Sequence, residues 1–277
     1  VPLFLGFIRR FDPGFEKVRR MIRAGELGRV FHLQSEFNYF VPDYLSPPYS
    51  TILARLQRVF KFDVDEMMGT WRVNNPKVRG GIFQDHGPHY ADLYRYLLGD
   101  DIAELAAFTQ KVAPTRAYED QAACLFRFEG GATASLQISL ATWPGRAFRE
   151  TGVIHGEKAS VRFGLDSWWF TMPYFLTRLH RNRLAKFNIW NYPFNLWRPV
   201  FTWTMGERWM GDRQMRGLIA SVRGERHPLA EQLATGIDGR KAMAVVIAAY
   251  QSSTRSEMLP PGRADDTVLD TYCGEGK

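Results

Sequence analysis

Apolar and polar residues alternate through the middle of this 277-residue chain. Phe126 and Phe128 alternate with Arg127 and Glu129, and Leu136, Ile138 and Leu140 with Ser135, Gln137 and Ser139. A period of two marks a strand with one covered face. Segments 102–112, 118–128, 132–142, 150–155 and 158–163 predict successive strands separated by Gly, Pro or charged turns, and together one antiparallel meander. Val30–Tyr39, with Phe31, Leu33, Phe37 and Tyr39, predicts a further strand, and the apolar run Val1–Ile8 a buried one. Helical spacing follows Asp12-Pro13, which supply a cap and a first-turn proline; Phe15, Val18, Met21 and Ile22 lie on one stripe that stops at Gly25. It returns after Asp212 (Met215, Leu218, Ile219, Val222, ending near Gly224). It is strongest over Thr235–Ser252, where Ala242–Tyr250 is the expected buried core. Residues 51–68 fit a short amphipathic helix, 41–50 a loop set by Pro42, Pro47 and Pro48, and 262–277 a loose polar tail.

Composition narrows the class. With 45% hydrophobic and 14% aromatic residues, the chain has material for a sizeable core and does not read as disordered. Cys124 and Cys273 are far apart, and no Cys/His spacing suggests zinc. Cys124 lies in a strand-like run and reads as a buried thiol, which fits a reducing, cytoplasmic setting. No run of eighteen apolar residues and no leader pattern occurs. The net charge is +7, and residues 178–226 hold ten Lys/Arg against three acids, the whole surplus. The remainder is close to neutral, so a nucleic-acid-coating protein is not indicated. Residues 164–211 mix these arginines with many aromatics. They read as an excursion packed on the sheet or on a second subunit. A membrane-surface element and a stacking platform for single-stranded nucleic acid are the alternatives. Pro173, Pro193 and Pro199 break the periodicity that a lipid-surface helix needs.

The chemistry concentrates in residues 80–99. Gly80-Gly81 open the segment, Asp85 precedes His89 by four residues, and Gly99 closes it. A helix beginning near Gly87 would put Asp85 just before its electropositive N-terminus and His89 in its first turn. A carboxylate beside an imidazole equips it to move a proton near neutral pH; a capping Asp near a buried His is the plainer alternative. Asp85, His86 and His89 have metal-ligand chemistry but no second cluster, so no metal site is expected. Arg72, beside Trp71, is either a bidentate donor to phosphate or carboxylate or half of a surface ion pair. Arg10, at the end of the first strand, either meets a ligand or pairs with Asp12 or Glu16.

The block Trp71-Arg72…Pro76…Gly80-Gly81…Asp85…His89…Asp92…Tyr96…Gly99 resembles the glucose–fructose oxidoreductase / inositol dehydrogenase (Gfo/Idh/MocA) family. So do Gly6-Phe7-Ile8-Arg9-Arg10-Phe11-Asp12-Pro13 with Gly25-Glu26-Leu27-Gly28, Tyr118-Glu119-Asp120 ahead of Phe126–Ala132, His155-Gly156-Glu157-Lys158, and Asp238–Ala242 through Ser252. The resemblance implies an α+β fold: a large, mainly antiparallel open sheet with helices on one face, preceded by the last strand and helix of a Rossmann-type domain. It also implies NAD- or NADP-dependent oxidation of a sugar, polyol or related carbohydrate-like substrate. His89 and Asp85 would be the catalytic and substrate-binding pair, and Arg10, Trp71 and Arg72 would lie toward the cofactor. His86 departs from the family's commoner small residue and is expected to face solvent. No G-x-G-x-x-G and no Glu-Lys-Pro occurs; Glu16-Lys17 is followed by Val18. The expectation is therefore the latter part of a longer protein, with 1–29 a remnant of the dinucleotide-binding domain and 30–277 the substrate and oligomerisation domain. Alone it would be inactive. The rival is a non-catalytic ligand-binding or dimerisation module. The sheet is expected to pair copies of the chain through a face carrying residues such as Phe126 or Leu136.

Overall fold

The computed structural model describes residues 3–39, 55, 80–114, 116–141, 148–167, 175–180 and 210–255. Trp71, Arg72 and Cys273, the loop at 41–50, the expected helix at 51–68 apart from Arg55, residues 168–174 and 181–209 of the excursion, and the tail lie outside them.

The first helix forms where its cap and stripe require. In α1 (Pro13–Arg23), Asp12 accepts from the backbone N–H of Gly14 at 2.7 Å and of Phe15 at 3.2 Å, and Phe15, Val18 and Met21 are buried. The preceding strand is shorter than the apolar run suggested. Only Phe4–Leu5 (β1) pairs, antiparallel to Ala234–Thr235 (β9), and both residues of β1 are half-buried. This ribbon stands apart from the main sheet.

Among the described residues the main sheet has seven strands: β2 (Val30–Tyr39), β3 (Ile102–Gln110), β4 (Gln121–Phe128), β5 (Thr133–Ser139), β6 (Phe148–Gly156), β7 (Ala159–Ser167) and β8 (Phe175–His180), in the order β3-β4-β5-β2-β6-β7-β8. The expected continuous meander is broken at one point. β2 lies between β5 and β6, parallel to the first and antiparallel to the second. Every other pair is antiparallel. Strand 158–163 runs on to Ser167, and Phe175–His180, expected only as part of an irregular excursion, adds the edge strand.

Alternation then divides the sheet. Ala122, Cys124, Phe126 and Phe128, with Ala134, Leu136, Ile138, Leu33, Phe37, Ile154, Val161 and Phe163, face the helices and are buried. Phe126 and Leu136 are each 2% exposed, so they belong to the core and cannot form a free face. The open face instead shows Leu125 (61% exposed) and Phe108 (50%) among small and charged residues. Against the covered face lie α2 (Ile82–Leu98) and α4 (Gly236–Arg255), while α3 (Met210–Val222) joins the 3₁₀ turn at Ile8–Phe11. The final helix is not buried throughout. Ala242, Val245, Val246 and Ala249 are inside, whereas Ile237, Met243 and Ile247 are exposed. The same division puts Met215, Ile219 and Val222 of α3 outside, although their spacing suggested a core stripe. Among the described residues, no helix is long and apolar enough to cross a membrane.

Candidate active site on helix α2

Helix α2 starts at Ile82, one turn earlier than the Gly87-Pro88 pair suggested. Pro88 sits inside it, lacking only the N–H that would have bonded one turn back. Asp85 is therefore in the first turn and His89 one turn further, on the same face. The early start depends on residue 119. The Glu119 carboxylate accepts from the Gly81 N–H (3.1 Å to each oxygen) and the Phe83 N–H (3.2 Å), and its carbonyl accepts from the Ile82 N–H at 3.1 Å. Three of the donors a helix start leaves unpaired thus meet one residue from another part of the chain. Tyr250, on α4, donates its hydroxyl to Glu119 Oε1 at 2.7 Å. Burial pushes the Glu119 carboxyl up, against the pull of these donors. Burial, then Glu119, pushes the Tyr250 phenol up as well. Gly81 is needed because a Cβ there would stand 1.8 Å from the Glu119 carbonyl oxygen. At the other end Gly99, at φ +68°, closes the helix in the left-handed region that favours glycine.

On the exposed edge of α2, Asp85 Oδ2 lies 3.1 Å from His86 Nδ1. His86 does not face solvent freely: its ring packs on Phe37, centres 4.3 Å apart, and it is half-buried. His89 is also half-buried and meets Phe7 edge-on at 5.5 Å. Asp85 thus pairs with the residue that seemed incidental, while His89 lies one helical turn from it.

Behind this edge lies a cluster that sequence reading missed. Glu150, on β6 and fully buried, accepts from Arg9 Nε and Nη2 at 3.3 Å each and from the Tyr90 hydroxyl at 2.6 Å. The Arg9 guanidinium also stacks 4.8 Å over the Tyr90 ring. Only the long-range register of β6 brings residue 150 here, so no local signal could have found it.

Arg10 departs from both expected pairings. It holds Asp92 with Nε at 2.8 Å and Nη2 at 2.5 Å, and reaches Asp238 at 3.2 Å; neither Asp12 nor Glu16 is its partner. Burial pushes the Asp92 carboxyl up against the pull of Arg10. The guanidinium loses hydration too, but Asp92 and Asp238 outweigh that loss and raise its pKa. With its fork occupied and the residue 8% exposed, Arg10 joins the N-terminal segment, α2 and α4. Cys124 is a free, buried thiol, pushed up to about 12 by burial. A cavity of about 390 Å³ between β3 and α4, lined by Arg95, Asp101, Leu105, Lys241 and Val245, lies toward the C-terminal end of α2, away from Asp85 and His89.

Residues 15–162 match the family model described as GFO/IDH/MocA C-terminal domain. The chain is 25% identical over 194 residues to scyllo-inositol 2-dehydrogenase (NAD(+)) of Bacillus subtilis, covering 64% of this chain and 47% of that protein. It is 39% identical over 164 residues to D-apiose dehydrogenase of Rhizobium rhizogenes, covering 58% and 40%. Among solved structures, aldose-aldose oxidoreductase from Caulobacter crescentus, complexed with glycerol, superposes with a TM-score of 0.63 at 16% identity over 92% of this chain and 63% of that one. The WlbA dehydrogenase from Bordetella pertussis, in complex with NADH and UDP-GlcNAcA, gives 0.59 at 20% identity over 92% and 62%. The chain spans less than half the length of these two curated relatives, and at these identities the structural likeness speaks for the fold alone.

The Glu119 clamp has a measurable signature. Tyr250→Phe removes one hydrogen bond and should lower unfolding free energy by about 0.5–1.5 kcal/mol, whereas Glu119→Ala strands buried N–H groups and should lower it by about 1–3 kcal/mol. Equilibrium urea unfolding of the two variants checks both the size and the order.

Proposed function

The chain belongs to the GFO/IDH/MocA family, and on that premise we propose that it supplies the substrate-facing half of a nicotinamide-dependent dehydrogenase acting on a sugar or polyol hydroxyl. The observation that carries this reading is the edge Asp85–His86–His89 on a helix whose start is fixed from outside by Glu119 and Tyr250. A reaction of this kind must remove a hydroxyl proton as hydride leaves the same carbon. His89 takes that proton. Asp85 orients substrate and, through His86, keeps the edge polar where Phe7 and Phe37 otherwise make it apolar. A nicotinamide held beside this edge by the rest of the enzyme would supply the hydride acceptor.

The residues described here do not fit the rest of a dinucleotide. Pyrophosphate binding of the Rossmann kind requires a glycine-rich turn opening onto a free helix N-terminus. The sequence has no such turn, and the N-terminus of α2 is filled by Glu119. We therefore assign phosphate binding, and the choice between NAD and NADP, to protein outside this chain, with residues 1–29 as the join. Trp71 and Arg72 are assigned the approach to the cofactor. Arg10 acts in this reading as the cross-link between the N-terminal segment, α2 and α4. The chain alone is inactive. The buried free thiol of Cys124 suits a reducing compartment such as the cytoplasm.

The open face of the sheet is proposed to pair two copies of the chain. Leu125 and Phe108 are diagonal neighbours on the β4 and β3 side of that face. Apolar residues grouped on an exposed sheet face mark a contact surface. Light scattering should show an assembly larger than the monomer, and Leu125→Lys should shift it toward the monomer. A strict monomer at high concentration would contradict the pairing.

For the chemistry, His89→Ala in a complete dehydrogenase carrying this chain should lower kcat by about 10²–10⁴-fold, the usual contribution of a positioned acid–base group. Asp85→Asn should lower it less. Steady-state turnover on a polyol or aldose substrate decides: near-normal kcat in the His89→Ala enzyme removes His89 from the reaction.

A further inference from the structure

A transverse row crosses the open face of the sheet. Register places Glu104, Arg127, Thr133, His32, His155 and Ser160 side by side on β3, β4, β5, β2, β6 and β7. At its centre His32 and His155 are direct cross-strand partners, with ring centres 6.2 Å apart and planes 17° from parallel. Each ring is held from its outer side by a hydroxyl. Thr133 Oγ1 lies 2.8 Å from His32 Nδ1, and Ser160 Oγ lies 2.9 Å from His155 Nδ1. The Thr133 hydroxyl gives its own proton to the Phe31 carbonyl at 3.3 Å, so it can only accept from His32. That fixes His32 with the proton on Nδ1 and the lone pair on Nε2.

This is how metal-binding histidines are prepared: one ring nitrogen donates to a neighbour, which sets the tautomer and aims the other nitrogen at the ion. We propose that His32 and His155 form a two-histidine chelate for a divalent transition-metal ion, bound through both Nε2 atoms. The ring separation permits it. With Nε2–metal distances of about 2.0–2.1 Å, a bridging ion can join rings whose centres are up to roughly 6.4 Å apart, and a tetrahedral angle draws them about 1 Å closer. The Phe31 ring, 6.1 Å from His155 and 21° from parallel, shields one flank. Arg127, the nearest cation in the row, is neutralised by Glu104 at 2.7 Å. No group of three or more His, Cys, Asp or Glu gathers among the described residues, so water completes the coordination. Imidazole pairs favour copper, nickel and zinc over magnesium or calcium. The site lies on the sheet face opposite α2, so it does not depend on the dehydrogenase reading.

Isothermal titration of the full chain with CuCl₂, NiCl₂ and ZnCl₂ tests the proposal. The expected result is saturable one-to-one binding, tightest for copper. His32→Ala and His155→Ala should each abolish it, Thr133→Ala should weaken it by about 10-fold to 100-fold, and His227→Ala should leave it unchanged. In the unsubstituted chain, substoichiometric Ni²⁺ should broaden the ring NMR signals of His32 and His155 before those of the other histidines, so the outcome does not depend on any variant folding. No saturable binding, binding that survives both His32→Ala and His155→Ala, or first broadening at His86 and His89 would overturn the assignment.

Discussion

The carboxylate of Glu119 at the N-terminus of α2 is the contact on which the candidate site depends. A helix start exposes unpaired N–H groups and a partial positive charge, and both attract an anion. Here a side chain from the strand approach ahead of β4 occupies that place, and Tyr250 holds it from α4. Gly81 follows from it, because it passes too close to the Glu119 backbone to carry a side chain. Asp85, His86 and His89 project from the turns immediately after this anchor. Their position is therefore set by residues on two other elements, neither of which takes part in the proposed proton transfer.

A charged seam fixes the other side of the same helix. Arg10 grips Asp92 in the middle of α2 and reaches Asp238 in the first turn of α4; Arg95 and Lys241 both close on Asp101. Lys241, then Arg95, holds the Asp101 carboxyl below its ordinary range. The buried Arg10–Asp92 pair adds little net stability over an apolar replacement, but losing one partner strands a charge and is strongly destabilising. The seam thus specifies how the N-terminal segment, α2 and α4 meet more than it strengthens the fold. With Glu119 and Tyr250 at one end and Arg10 along the flank, α2 has little freedom to slide against the sheet.

Much of the fold was legible because it is local. Asp12-Pro13 reads as a helix start and forms one, and the alternation in β4 and β5 correctly groups Phe126 with Phe128 and Leu136 with Ile138 on one face. What failed is non-local. Nothing in the period of Val30–Tyr39 says that it inserts between β5 and β6, because strand order is set by packing and not by pattern. Gly87-Pro88 imitates a helix start, and the true start is invisible without residue 119. The free face could not be assigned from Phe126 and Leu136, since alternation identifies two faces but not which one the helices cover. Motif and spacing pointed to Asp85 and His89 as the candidate pair, whereas the cluster Arg9–Tyr90–Glu150 and the partners of Arg10 join residues brought together only by the fold.

Amide hydrogen exchange at the start of α2 is the most direct measurement of whether Glu119 organises the site. In the unsubstituted chain the N–H groups of Gly81, Ile82 and Phe83 should exchange slowly for residues at a helix start, since each is bonded to residue 119. Glu119→Ala should speed exchange at Gly81 and Phe83 and through the first turn to Asp85, while the C-terminal turns near Tyr96 keep their protection. Unchanged protection across 81–85 in Glu119→Ala would contradict the role given to Glu119 and, with it, the reason offered for the placement of Asp85, His86 and His89.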